Sequence, residues 1–199
     1  MCLPAVSRVE YVYDPDDPVP TRGGAGMLAF ILPDIGGAEG ANVWQEDLCA
    51  RADVLTFQTP PLDEPLHFAG RVEVALTIVS DAPDTAFIAK LVEVLADGRA
   101  VNIRDGITSL AYRNDASEAQ SYSPGDPVEI HIRFWPIEWT VPAGSSLRLD
   151  ISSSDFPKYH AHPNRAGVWS QQTEAKKANQ ALLIGNGSEA WVELPVVGM

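Results

Sequence analysis

The 199-residue sequence has few cysteines, few basic residues and no long apolar run. Its two cysteines, Cys2 and Cys49, are too few for a disulfide framework; they could pair, but we expect both to be reduced thiols. No stretch approaches the roughly 20 apolar residues of a membrane-spanning helix. The first residues also lack the basic and apolar regions of a signal peptide. These absences predict a cytoplasmic protein, or a piece of a chain whose targeting segment lies elsewhere.

Basic residues are outnumbered by acidic ones. Lys and Arg number 14 against 27 Asp and Glu, which gives a formal net charge of −13. Nucleic acids and anionic membranes would repel such a chain, so we expect neither as a partner. The charge is spread along the sequence rather than gathered in a tail, which is typical of a solvated acidic surface.

Motifs for common chemistries are also missing. No serine lies in the G-x-S-x-G elbow of an α/β-hydrolase, and Cys49 has no histidine near it in sequence. There is no phosphate-binding loop and no dinucleotide fingerprint, so we expect no cofactor. His160 and His162, with Asp155 nearby, have a spacing that two metal ligands can use. Histidines in polar loops are more often simply solvated, and we expect no metal.

Several segments of the sequence alternate between apolar and polar residues. Residues 72–78, 128–134 and 147–151 follow the period of two that is typical of half-buried strands, whereas residues 87–95 are apolar on both faces and should lie deep in a sheet. Turn residues separate these runs, including a hairpin signal at Asn186 and Gly187. The pattern predicts an all-β sandwich. Only residues 171–180 could form a short helix, and they read equally well as a polar loop.

The first fifty residues differ from the rest. They are rich in Pro, Gly and Asp, and we expect residues 1–52 to form an irregular arm or linker that is ordered by another chain. The sandwich domain then occupies residues 53–199. Four aromatic residues, Trp135, Trp139, Tyr159 and Trp169, could form a sugar-stacking surface. Core filling and domain packing is the interpretation that we favour.

Four ordered segments carry a resemblance that covers nearly the whole chain. They are "YDPDDPVPTRGG" (13–24), "RADVLTFQTPPLDEPLHFAGRVEV" (51–74), "SDAPDTAFIAKLVEVLADGRAVNIRDG" (80–106) and "GSSLRLDISSSDFPKYHAHPNRAG" (144–167). Together they resemble the C-terminal domain of the group of serine hydrolases that includes cocaine esterase, α-amino acid ester hydrolases and X-Pro dipeptidyl-peptidases. The sequence departs from that pattern at Ala86, where an acidic residue is common. It departs again at His160–His162, where a mixture of acidic and basic residues is expected.

The resemblance implies a jelly-roll β-sandwich of the galactose-binding-like type. It also implies that the catalytic Ser, Asp and His belong to a preceding α/β-hydrolase domain, so none is assigned to this chain. The expected function is that of a non-catalytic accessory domain that supports the hydrolase fold, its cleft and its assembly. The expected partners are that hydrolase domain, in cis or in trans, and further copies of the chain. The alternative is an independent module that binds a carbohydrate or another small ligand.

Two short segments stand out within the resemblance. One is the corner Asp81, Pro83, Asp84 and Thr85, and the other is the loop Asp155, Phe156 and Pro157. Pro83 fixes its own φ and disfavours α geometry at the residue before it. The two aspartates of the corner can accept hydrogen bonds from neighbouring backbone N–H groups in Asx turns. We therefore interpret the first segment as a corner that sets strand register rather than as a ligand site.

Overall fold

Antiparallel strands form most of the regular structure in the computed structural model, which describes residues 7–24, 31, 40–45, 51–185 and 190–198. The strands are β1 (Ser7–Tyr13), β2 (Leu55–Gln58), β3 (Leu66–Gly70), β4 (Glu73–Ser80), β5 (Ala86–Val94), β6 (Ala100–Ser109), β7 (Val128–Arg133), β8 (Ile137–Val141), β9 (Ser146–Ser152), β10 (Ala178–Ile184) and β11 (Trp191–Glu193). Short 3-10 turns lie at Arg113–Asp115 and Trp169–Gln171.

The strands form two main sheets. In the five-stranded sheet, β1 pairs with β10, and β10 and β11 lie in succession along one edge of β4, whose other edge pairs with β7. The four-stranded sheet has the order β2-β9-β5-β6, and a two-stranded ladder joins β3 to β8. A shared set of buried apolar side chains from both main sheets forms the core. The all-β sandwich predicted from the sequence is confirmed.

Neighbouring strands of each sheet place their core side chains opposite one another, on the faces that the alternation predicts. Leu76 on β4 lies opposite Ile130 on β7, and both side chains are buried. In the other sheet, Leu91 on β5 lies opposite Leu149 on β9, and both join the same cluster. Strand β5 has neighbours on both edges and is buried from Ala86 to Glu93, as expected for a strand deep in the sheet.

The N-terminal region differs from the irregular arm that the composition predicts for residues 1–52. Ser7–Tyr13 form β1, which pairs with β10 along its whole length and buries Tyr11 and Tyr13 in the core. The sheet therefore begins before the expected boundary at Asp53. The alternation in this segment is short, and the Pro- and Asp-rich residues that follow it obscured the strand signal.

Residues 14–24, which we call the N-terminal segment, are irregular as predicted, but they are held by contacts within the chain. The Val19 N–H donates to Ser154 Oγ at 2.9 Å, and the Thr21 N–H donates to the Phe156 carbonyl at 2.7 Å. Another chain is not needed to order these residues, which corrects that expectation.

Two further predictions concern the C-terminal third. Residues 171–180 form no helix: a loop follows the 3-10 turn, and β10 begins at Ala178. Cys2, Cys49 and the predicted turn at Asn186 and Gly187 lie outside the described residues. Among the helices that the structure describes, none has the length and apolarity to cross a membrane.

Candidate functional site

The corner before β5 is held by long-range hydrogen bonds rather than by local Asx turns. The Asp81 carboxylate accepts hydrogen bonds from the backbone N–H and the side-chain amide of Asn179, on β10. Asp84 Oδ1 accepts the N–H of Ala111 at 2.9 Å. The Asx-turn prediction is therefore wrong, because both carboxylates have partners that the fold brings from distant parts of the chain. Asp81 and Pro83 are the exposed residues of the corner, whereas Asp84 and Thr85 are buried.

Asp84 also contacts a buried histidine. Its Oδ2 lies 3.3 Å from His162 Nε2, and both side chains are almost completely buried. The Asn164 N–H donates to His162 Nδ1 at 3.0 Å. A ring nitrogen that accepts a hydrogen bond carries no proton, so this bond places a ring proton on Nε2, which faces Asp84.

Thr85 extends this network into the sandwich. Its hydroxyl donates to Asn164 Oδ1 at 2.7 Å and accepts from Gln180 Nε2 at 3.0 Å. The Asn164 side-chain amide donates in turn to the Lys176 carbonyl at 2.6 Å. These bonds join the corner, the loop after β9 and the start of β10, so they fix three segments relative to one another.

The loop at Asp155, Phe156 and Pro157 lies on the outer face of the four-stranded sheet. Its Phe156–Pro157 peptide is cis. Asp155 is paired with Lys90 of β5 at 3.4 Å, and both side chains are buried. Burial raises the pKa of Asp155, although Lys90 opposes this change. The backbone of Phe156 meanwhile bonds the N-terminal segment that crosses this face.

A second buried ion pair lies beside the first. Lys158 Nζ contacts the Asp105 carboxylate of β6, and the Tyr159 hydroxyl donates to the same carboxylate at 2.9 Å. Burial raises the pKa of Tyr159 above its ordinary range, so this hydroxyl stays protonated. The outer face of the four-stranded sheet therefore carries paired charges that the N-terminal segment covers.

A pocket of about 460 Å³ opens beside the corner. Asp84 and His162 line it, and apolar or aromatic side chains supply most of the remaining wall. Ala86 and His160 also line this pocket. The two positions at which we expect a departure from the family pattern therefore line one cavity.

His160 and His162 do not converge as metal ligands. Both nitrogens of His162 are engaged, and the His160 ring stacks on Trp169 with centroids 4.2 Å apart. Burial lowers the pKa of His160. Within the described ranges, no group of three or more His, Cys, Asp or Glu side chains is arranged to hold a metal ion.

The aromatic residues divide into two groups. Trp139 packs against the core, and its Nε1–H donates to Glu93 Oε2 at 2.9 Å, as the packing interpretation predicts. Trp135 and Trp169 are instead 75% and 49% exposed. For these two residues, core filling is wrong.

The pocket and the buried ion pairs are what sequence reasoning missed. His162 lies 78 residues from Asp84, and Asp155 lies 65 residues from Lys90. No local pattern marks such pairs. The signals that were available are Lys90, a charged residue inside a run that was predicted to lie deep in the sheet, and the charged residues at the outer positions of β9, which the half-buried pattern predicts to face solvent.

Comparison with known proteins gives consistent results. Residues 7–189 match the family model of the X-Pro dipeptidyl-peptidase C-terminal non-catalytic domain. The chain is 34% identical over 189 residues to a cocaine esterase of Rhodococcus sp. strain MB1 Bresler, covering 94% of this chain and 32% of the esterase. It is 28% identical over 145 residues to a putative serine esterase of Mycobacterium bovis, covering 64% of this chain and 23% of that protein.

Solved structures show the same fold. An aminopeptidase from a marine sediment archaeon, Thaumarchaeota archaeon, superposes with a TM-score of 0.84 at 23% identity, over 98% of this chain and 34% of that one. An α-amino acid ester hydrolase superposes with a TM-score of 0.79 at 24% identity, over 94% of this chain and 32% of that one. The chain thus spans about a third of the length of these relatives. By sequence and by fold, it belongs to the X-Pro dipeptidyl-peptidase C-terminal non-catalytic domain family, the accessory domain of cocaine-esterase-type hydrolases.

Proposed function

We propose that the chain supports a serine hydrolase that cleaves acyl esters or peptides, and that its partner is an α/β-hydrolase domain in cis or in trans. The observation that carries this proposal is the match to a non-catalytic domain family over residues 7–189, in a chain spanning a third of its relatives. Its role would be to stabilise the hydrolase fold and to complete one side of the active-site cleft.

The hydrogen-bond geometry supports this proposal. In the described part of the chain, no serine hydroxyl is bonded to a histidine, and the buried pair Asp84–His162 has its second ring nitrogen engaged by Asn164. A general base needs a free ring nitrogen within reach of its nucleophile. This pair therefore has the geometry of a structural contact.

Activity-based labelling tests the proposal. We expect the purified chain to hydrolyse no simple acyl or aminoacyl ester above background and to resist a serine-directed fluorophosphonate. An α/β-hydrolase domain of the same family should be labelled when it is mixed with this chain, and the chain should raise the melting temperature of that domain. Stoichiometric labelling of a serine in this chain would overturn the accessory role.

The same proposal includes several finer points. We infer a jelly-roll connectivity of the galactose-binding-like type, which two facing antiparallel sheets support. We also infer a cytoplasmic location, which the low cysteine content supports. We further infer self-association, and no nucleic acid or membrane partner; the net charge of −13 supports the second of these points but opposes the first. The corner and the loop, Asp81 to Thr85 and Asp155 to Pro157, would then act as structural signatures rather than as ligand contacts.

A second candidate function is an independent module that binds a small ligand. The pocket beside Asp84 and its exposed neighbour Trp169 favour it. Calorimetric titration with glycans tests the carbohydrate form of this candidate, and the absence of any heat of binding would exclude it.

A further inference from the structure

The pocket beside the corner is lined by charge of one sign only. Asp84 is the one acidic side chain among its described lining residues, and no Lys or Arg lines it. His162 Nδ1 accepts the Asn164 N–H, and burial lowers the pKa of His160, which favours its uncharged ring. Lys158, which precedes the lining residue Tyr159, is paired with Asp105. The pocket therefore presents one carboxylate and no Lys or Arg among its described lining residues.

The walls around this carboxylate are apolar and aromatic. Trp169 stacks on His160 with an interplanar angle of 26°, and Tyr112, which follows the Asp84-bonded residue Ala111, is 54% exposed. Ile107 adds an exposed apolar wall. Aromatic faces attract cations, and they do so most strongly where water is excluded.

From these observations we infer that the pocket binds an organic cation, an amine that carries an apolar or aromatic body. The ammonium group lies against Asp84 and the aromatic faces, and the apolar body fills the space beside Ile107 and Trp169. A volume of about 460 Å³ suits a molecule of this size. The inference rests on the second candidate function, the small-ligand module, and is independent of the accessory role.

The hydrogen bonding of the pocket favours a cation over a sugar. A sugar needs several donors and acceptors, but the polar groups at the Asp84 end of the pocket are largely engaged: Asp84 Oδ1 accepts from Ala111, both His162 nitrogens have partners, and the Ser109 hydroxyl oxygen accepts the Tyr112 N–H. Asp84 Oδ2 has one partner, and a carboxylate oxygen can accept a second hydrogen bond. The net charge of −13 also raises the local concentration of cations.

A charge series of matched probes tests the inference. The full chain is titrated with 2-phenylethylammonium, with neutral 2-phenylethanol and with anionic 3-phenylpropanoate, by calorimetry and by tryptophan fluorescence. Salt at about 0.15 M screens long-range attraction to the acidic surface. We expect saturable binding of the cation, at least about tenfold weaker binding of the alcohol, and no binding of the anion.

Variants locate the binding. Trp169→Ala and Asp84→Asn should each weaken cation binding by about tenfold or more. Trp135→Ala is the matched control, because Trp135 is a more exposed tryptophan that does not line the pocket. It should leave binding unchanged. Asp84→Asn also changes the bonds to Ala111 and His162, so its fold is checked by circular dichroism, and Trp169→Ala decides the result if that fold is lost.

Three results would overturn the inference: no cation binding to the folded chain at millimolar concentrations, equal affinity for the alcohol, or full affinity in Trp169→Ala. None of them bears on the accessory role, which is tested by labelling of the hydrolase domain.

Discussion

His131 is a surface histidine held between two carboxylates. Its Nδ1 lies 2.6 Å from Glu73 Oε1, and its Nε2 lies 3.1 Å from Glu129 Oε1. Partial burial lowers the pKa of His131, but the two carboxylates raise it further, and the net change is upward. Arg133 and His131 together lower the pKa of Glu73 despite its partial burial. The imidazolium form is therefore favoured in the folded protein.

This contact predicts a pH dependence of stability. A raised folded-state pKa contributes stability that is complete below the unfolded value of about 6.5 and is lost as pH rises through the folded value. Urea unfolding from about pH 5.5 to about pH 8 should show a decline that is smaller in His131→Gln. His160→Gln is the control of opposite sign, because burial lowers its pKa and its removal should steepen the decline. An unchanged slope in His131→Gln would contradict the prediction.

Lys90 and Asp155 form a buried ion pair with an incomplete hydrogen-bond set. Their side chains are 7% and 2% exposed, and Asp155 Oδ2 has no partner. Removing one partner of such a pair leaves a buried charge and typically costs about 3–5 kcal/mol, whereas replacing both with apolar groups is often neutral.

We therefore expect Lys90→Met to destabilise the protein by about 3–5 kcal/mol. The double variant Lys90→Met/Asp155→Leu should be less destabilised than Lys90→Met alone. A double-mutant cycle by chemical denaturation measures the coupling. Additive losses from the two single variants would show that the two side chains do not depend on each other.

Strand β7 shows how the alternating pattern becomes an element of the core. Ile130 and Ile132 are fully buried and lie opposite Leu76 and Val74 of β4, while Glu129 is exposed. A shift of one residue would turn every one of these side chains to the other face.

The register of β7 gives a prediction with its own control. Ile130→Ala should cost about 2–5 kcal/mol in the free energy of unfolding, because it removes buried methyl groups and leaves a cavity. Glu129→Ala, the neighbouring residue on the exposed face, should cost within about 0.5 kcal/mol. Equilibrium unfolding in urea measures both, and equal losses would mean that the register is wrong.

At the scale of the whole molecule, a strongly acidic surface carries exposed apolar side chains. Trp135, Val168 and Val196 are each more than half exposed, while the net charge is −13. Charge repulsion is screened by salt over about 8–10 Å, whereas apolar burial persists.

We therefore expect a homodimer or a larger assembly that is strengthened by added salt. Light scattering across protein concentration and ionic strength measures this, and the most economical arrangement is a two-fold contact. We expect the contact to involve exposed faces rather than residues 14–24, because those residues already bond residues 154–158 of the same chain. A monomer at high concentration in moderate salt would refute self-association.

Much of the sandwich was predictable from local patterns. Period-two alternation identified the inner faces of β4, β7 and β9, and the apolar run at residues 87–95 identified a strand with neighbours on both edges. Four ordered motifs identified the family. These features are predictable because each depends on about ten to thirty consecutive residues, the range over which hydrophobic periodicity and secondary-structure propensity act.

The sequence by itself therefore determined the fold class, the inner faces of the central strands and the family. The tertiary structure decided which polar residues meet: Asp84 with His162, Lys90 with Asp155, and Asp81 with Asn179. It also decided that the outer face of β9 is buried, because the N-terminal segment covers the side of the sheet where charged residues were expected to meet solvent. Alternation specifies which side chains share a face, but only the crossing of distant segments determines what covers that face and which charges pair on it.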